Sequence, residues 1–126
     1  MKKTIIILSV SIGLLLFYNQ FQCKEKSKKP IVTFVELGSV RCIPCKKMQP
    51  VMKSLEEKYG EQLEIIFYDV WTEEGKPKGK EYNISAIPTQ VFLDIDGKEF
   101  HRHVGFYPEE EIDSLLQKKG LKIIKK

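Results

Sequence analysis

The sequence predicts an α/β domain: a mixed four-stranded sheet in the order β-α-β-α-β-β-α, with helices on both faces. Three observations predict it. Two β-branched runs flank a long stretch whose apolar residues recur every three or four positions, the pattern of a right-handed β-α-β unit. Asp96-Gly97 separates two further strand-like runs, a hairpin signal. A last amphipathic stretch opens on Pro108 and three glutamates and closes on Gly120, which marks a terminal helix.

Taken in order, Ile31–Val35 is an apolar, β-branched strand, and Leu37 to Arg41 turn the chain. Cys42–Tyr59 follows as a helix with Met48, Val51, Met52, Leu55 and Tyr59 on its buried side. Gly60 ends it, and Pro50 within it predicts a kink. Leu63–Val70 is a second strand, expected to be central because it is largely apolar. Thr72–Lys80 holds Gly75, Pro77 and Gly79 and predicts a loop or a frayed short helix. Thr89–Ile95 alternates as a strand, and Lys98–Val104 returns antiparallel to it. Gly105-Phe106-Tyr107 turns into a helix over Pro108–Lys119, with Ile112, Leu115 and Leu116 inward.

The chain has 126 residues, enough for one domain and too few for a barrel enzyme or a two-domain dehydrogenase. Residues 1–22 are expected to be a signal peptide or membrane anchor, with a basic Met1-Lys2-Lys3 start and an apolar run from Thr4. Extended to Phe21, that run is about 27 Å of helix at roughly 1.5 Å per residue, just enough to cross a bilayer core. Residues 23–30 read as a lysine-rich tether, 31–120 as the folded domain and 121–126 as a basic tail. Cys23 stands where a lipoprotein's acylated cysteine would stand, although Gln22 before it is not the small residue that a lipobox wants. The expected location is extracytoplasmic, at the cell-envelope or periplasmic face, with the protein tethered to the membrane.

The net charge of +4 is unevenly placed. Residues 1–29 carry six lysines against Glu25 alone, so the remaining 15 basic and 16 acidic residues leave the domain near neutral. That balance argues against a nucleic-acid partner. Charged residues at 30% and apolar residues at 42% exclude both disorder and a polytopic membrane protein.

The chemistry rests on Cys42-Ile43-Pro44-Cys45, placed where a helix opens after a strand and loop. There the first sulfur faces unpaired N–H groups, whose partial positive charge favours thiolate. Two intervening residues let the second sulfur fold back to disulfide distance. Pro44 lies in the first turn, where its missing N–H costs nothing, and Arg41 adds a cation next door. Two inert core cysteines would fit the same spacing. So would a tethered copper or zinc carrier, with His101 and His103 completing a set of four ligands.

Several motifs together resemble the thioredoxin family over about residues 31–119. Lys46 and Met48 follow the cysteine pair, and Pro50 lies five residues past Cys45, as the family's helix proline does. The segment Tyr82-Asn-Ile-Ser-Ala-Ile-Pro-Thr89 is similar to the family's isoleucine, cis-proline, threonine segment. Asp96-Gly97 and Gly105 match its hairpin and the glycine after its last strand.

The resemblance implies a thiol–disulfide oxidoreductase that reduces protein disulfides and needs no cofactor. It makes Cys42 the attacking thiolate and Cys45 the buried resolving thiol. Pro88 would be cis against the disulfide, and Ile87 would offer backbone hydrogen bonds to an extended substrate. Arg41, Ile43, Pro44 and Gly105 would border that substrate, with Phe106, Tyr107 and Trp71 either beside it or in the core. Glu36, six residues before Cys42, falls where the family buries an acid that moves the proton of the resolving thiol. A membrane-embedded electron donor would reset the pair, and a monomer is expected. The chain departs from the family in Arg41, where a tryptophan is usual, and in Ile43 within the motif. Phe67 stands where a lysine usually partners the acid, and the family's first strand and helix are replaced by the apolar segment.

Overall fold

A computed structural model describes residues 28–125; the expected signal or anchor, Cys23 and most of the tether lie outside the described residues. The elements are β1 (Val32–Gly38), α1 (Ile43–Tyr59), a 3-10 turn (Gly60–Gln62), β2 (Leu63–Asp69), α2 (Lys76–Glu81), β3 (Thr89–Leu93), β4 (Glu99–Val104) and α3 (Glu109–Lys118). They build one four-stranded sheet in the order β2-β1-β3-β4. β1 runs parallel to β2, and β3 is antiparallel to both β1 and β4. The fold class is therefore the α/β mixed sheet that the sequence predicts.

One expectation is corrected. β2 is an edge strand among the described residues, and β1 and β3 are the central pair. Its apolar run reflects covered faces rather than flanking strands. Ile65 and Phe67 pack on one face and Tyr68 on the other, so a strand half-buried on both faces reads as central even at an edge.

The larger core lies between the sheet and α1 with α3. Phe34 and Phe92 stack there at 4.7 Å between ring centroids. Met48, Val51, Met52, Leu55 and Tyr59 arrive from α1, and Ile112 and Leu116 from α3. On the opposite face Val35, Leu37 and Val91 form a smaller cluster under Tyr82 and Ile84, at and just beyond the end of α2. Helices thus cover both faces, and the side chains of β1 divide between them with the strand period of two.

Boundaries shift for local reasons. β3 stops at Leu93 because the Asp94 carboxylate accepts hydrogen bonds from the N–H groups of Asp96 and Lys98, closing the hairpin. Pro108 caps α3 rather than opening it, with an extended ψ of 139°. The expected tail also folds back. Leu121 is buried in the main core, and the Ile124 N–H donates to the Lys58 carbonyl at 2.8 Å. The Gln62 side chain bridges both backbone groups of Lys122. Packing therefore continues to Ile124 instead of ending near residue 120.

Candidate active site

The site is built where β1 ends and α1 begins. Cys42 is the N-cap of α1, with φ −86° and ψ 126°. Its sulfur accepts a hydrogen bond from the Cys45 N–H at 3.4 Å. A sulfur thus takes the place usually held by a Ser or Asp oxygen, against N–H groups that have no partner within the helix. Pro44 lies in the first turn and removes one such donor at no cost. Cys42 and Cys45 are joined as a disulfide, with Cα atoms 5.2 Å apart. Cys42 keeps 8% of its surface exposed and Cys45 none. Cys42 is thus the more accessible member of the pair, and the helix dipole favours its thiolate once the bond is reduced.

Beneath the pair, Gly38 forms the floor. A Cβ there would stand 3.2 Å from both Cβ and Sγ of Cys45 and 3.4 Å from the Phe67 ring. A side chain at this position would press on Cys45 unless the helix moved outward by a few tenths of an ångström. Two residues back on the same face, about 7 Å along the strand, lies Glu36, fully buried. Burial pushes its carboxyl up to about 8, and the Gln90 amide beside it draws it partly back. In the register Glu36 stands between Phe67 on β2 and Gln90 on β3. The position where a cation would be expected is thus occupied by a benzyl ring. Neither Glu36 carboxyl oxygen has a hydrogen-bond partner, nor does either end of the Gln90 amide. The geometry is side by side rather than bonded, so the offset from Gln90 is the smaller effect.

Sequence reasoning missed Asp69. Its carboxylate accepts hydrogen bonds from the Val40 N–H at 3.1 Å, the Trp71 N–H at 3.0 Å and the Ser39 hydroxyl at 3.3 Å. Burial alone would raise its pKa. The donated hydrogen bonds and the Arg41 charge outweigh that and hold it below the usual carboxylate range. One carboxylate at the end of β2 thereby buckles the loop that delivers Cys42 to the loop that carries Trp71. The available signal was an acid ending an apolar strand, which sequence alone does not separate from an ordinary strand end.

Arg41 points along the same buckle. Its guanidinium lies over the Trp71 ring, 5.6 Å from the centroid. Trp71 is exposed rather than core, and with Val40, Ile43, Val104 and Phe106 it belongs to the exposed large apolar side chains of the chain. Phe106 and Tyr107 separate: Phe106 is exposed, while Tyr107 is buried with its N–H on the Met48 sulfur.

The Ile87–Pro88 peptide bond is cis. Pro88 immediately precedes Thr89, which pairs with Leu37, so it enters the sheet at the end of β1 that carries Gly38. On its other side the Gly105 N–H donates to the Pro88 carbonyl at 2.8 Å. Gly105 holds φ at +94°, a conformation that glycine adopts without strain. Ile87 makes no hydrogen bond through its N–H or carbonyl among the described residues.

The metal alternative is corrected. Both histidines are half-buried on the Tyr107 ring rather than exposed. His101 Nε2 lies 3.1 Å from the Tyr107 hydroxyl, and His103 stacks on that ring at 4.1 Å and contacts the Phe106 carbonyl through Nε2. Among the described residues no three His, Cys, Asp or Glu side chains come together as a metal-binding group. The ring of Tyr107 uses the histidines as packing partners, so Cys42, Cys45, His101 and His103 form no ligand set.

A cysteine pair closing the N-terminus of the helix that follows the first strand, over a glycine floor and beside a cis-proline, defines a thiol–disulfide exchange domain. The comparisons with known proteins agree. A family model described as a thioredoxin-like domain matches residues 18–120. The chain is 35% identical to a thioredoxin of Bacillus subtilis over 87 residues, 69% of this chain and 81% of that one. It is 31% identical to a thioredoxin of Listeria monocytogenes over 95 residues, 75% of this chain and 87% of that one. Among solved structures, a reduced thioredoxin pre-protein from Schistosoma mansoni matches with a TM-score of 0.60 and 26% identity, over 74% of this chain and 83% of that one. A thioredoxin variant from Halobacterium salinarum matches in fold with a TM-score of 0.63 at 23% identity, over 71% of this chain and 75% of that one. The chain belongs to the thioredoxin family, and it is a thiol–disulfide oxidoreductase.

Proposed function

We propose that the protein reduces disulfides in exported protein substrates while tethered to the membrane by residues 1–22. The Cys42 thiolate attacks one sulfur of a substrate disulfide; a Cys42–substrate disulfide forms, and the other substrate sulfur leaves as thiolate. Cys45 loses its proton to the Glu36 carboxylate and attacks the Cys42 sulfur. The Cys42–Cys45 bond forms, the mixed disulfide breaks, and the second substrate sulfur leaves with the electron pair. Two electrons have passed to the substrate, whose thiolates take their protons from solvent; a membrane-embedded dithiol donor must return two electrons to the Cys42–Cys45 pair, and Glu36 gives its proton back to Cys45. Ile87, whose backbone groups pair with none of the described residues, offers an extended substrate the hydrogen bonds of an added strand. Arg41, Ile43, Pro44, Gly105 and the apolar side chains around them form the docking rim, and the domain acts as a monomer.

The observation that carries this reading is the asymmetry of the pair. Cys42 is partly open and held against helix N–H groups, while Cys45 is closed off above a buried acid. The tether is supported by the basic start and apolar run of the sequence. No helix of the described residues is long and apolar enough to cross a membrane.

The test is insulin reduction by the full chain with dithiothreitol as reductant. The expected result is turnover by the wild type, a covalent insulin adduct on Cys45→Ser, and neither on Cys42→Ser. Turnover by Cys42→Ser at the wild-type rate would overturn the assignment.

A further inference from the structure

Phe67, Glu36, Gln90 and His103 form one row across the sheet, one residue from each strand, on the face that carries α1. Glu36 and Gln90 are its two fully buried members, and their four side-chain polar atoms lack partners. Buried polar atoms in folded proteins are nearly always paired, so an orphaned foursome beside a redox pair calls for an account. A neutral carboxyl tolerates such a place far better than an ionised one.

No charged side chain faces Glu36. β2 contributes Phe67. α1 lays Cys45 and Met48 on this end of the sheet, and β3 contributes Gln90. The next titratable group is His103, a strand further out, engaged with the Tyr107 ring and the Phe106 carbonyl. Gln90 is therefore the one side-chain donor beside Glu36 from its neighbouring strands. Its terminal torsion is soft, so the amide can swing an N–H onto the carboxylate without any backbone movement.

We propose that Gln90 is a positioning residue for the exchange reaction: its amide donates to the Glu36 carboxylate and so sets the pH at which Glu36 takes the Cys45 proton. The inference rests on the role given to Glu36 above. In the step concerned the Cys45 S–H bond breaks and the proton goes to Glu36. The sulfur electron pair attacks the Cys42 sulfur, and the departing thiolate carries away the pair from the broken S–S bond. Gln90 is chemically unchanged; it stabilises the carboxylate that starts the step. Burial raises the acid, and the Gln90 donor opposes it, so removing the amide moves the acid further up.

The experiment uses the full chain with Cys23→Ser, carrying a mixed disulfide of thionitrobenzoate on Cys42. Release of thionitrobenzoate is followed from pH 5 to 10. In parallel the Glu36 side-chain carboxyl is titrated by carbon-13 NMR. Gln90→Met keeps the shape and removes the amide, and Gln90→Leu serves as a second apolar variant should Met fold poorly. The expected result is a midpoint about one pH unit higher than wild type in both readouts, with release at pH 7 slowed up to about tenfold. A merely structural role for Gln90 would leave the midpoint in place. An unmoved midpoint, with Glu36→Gln abolishing the pH step, overturns the inference and leaves the role of Glu36 standing. A pH step that survives in Glu36→Gln overturns both.

Discussion

At its C-terminal end α1 is closed by paired polar groups. Lys58 bridges Glu109 and Asp113 of α3, the Tyr59 hydroxyl donates to Asp113 at 2.9 Å, and Ser54 donates to Glu109 at 2.6 Å. Ile124 and Gln62 secure the returning chain against the same end. At its N-terminal end the arrangement is reversed. Glu36 and Gln90 are buried without partners. Ile87 makes no backbone pairing among the described residues, and Val40, Ile43 and Trp71 are apolar and exposed. The closed end pairs its charged side chains with one another; the open end leaves the Glu36 and Gln90 side chains orphaned among the described residues, and it carries the disulfide. Local rules tend to be broken where a protein acts rather than where it is merely held together. In this molecule the closed end fixes α1 on the sheet so that the open end keeps its geometry.

The comparison is sharpened most by Cys42→Ser, the change expected to have the largest effect. It should bring insulin reduction to background while the thermal midpoint stays close to that of the reduced wild type. A large parallel loss of stability would mean that the open end, too, is structural.

The next effect falls on Glu36. Its carboxyl sits at about 8 in the folded chain against an ordinary 4.5. Between those values the folded state holds a proton that the unfolded state has released. Stability therefore declines as pH rises from about 4.5 to about 8, by up to about 1.4 kcal/mol per unit from this group. Glu36→Gln should remove that slope and be the more stable protein at pH 8, as urea titrations at several pH values would show. An unchanged slope would mean that Glu36 is not buried as an unpaired acid.

At the closed end, ending the chain after Gly120 removes Leu121 from the core. That should cost about 2–4 kcal/mol, in the range of burial lost when a leucine is truncated, with activity retained in whatever fraction stays folded. Lys58→Met should cost only about 1 kcal/mol by urea denaturation, because Lys58 and its two carboxylate partners, Glu109 and Asp113, keep partial access to water. Asp69→Asn tests the buckle that joins the two loops of the open end. The uncharged amide binds N–H donors less strongly, so kcat/KM for insulin should fall several-fold with little change in the urea midpoint.

Much of this was legible in the sequence because the signals were local. The cysteine spacing, the 3.6-residue stripe from Met48 to Tyr59, Asp96-Gly97 and Gly60 each act within a few residues. What escaped notice depends on pairings between distant segments. β2 reads as central because Ile65, Ile66 and Phe67 are apolar on both faces, and nothing in the run shows which strand lies beside it. Asp69 takes its function from Ser39 and Val40, about thirty residues earlier, and Gln90 matters only because the register sets it beside Glu36. The histidine pair misled for the same reason. Two histidines with one residue between them suggest ligands until Tyr107 is seen to occupy both. The returning C-terminus looked like a basic tail because Leu121 and Ile124 are isolated apolar residues among lysines, and their partners lie on α1 and the turn after it.

The central claim is that the open end of α1 holds a redox couple poised to reduce. It is tested most directly by the reduction potential of Cys42–Cys45 in the full chain carrying Cys23→Ser, equilibrated in dithiothreitol and glutathione buffers. A single two-electron transition near that of thioredoxin, roughly −270 mV, is expected. A transition near about −120 mV, the value of a strong disulfide donor, or no transition at any poise, would contradict it.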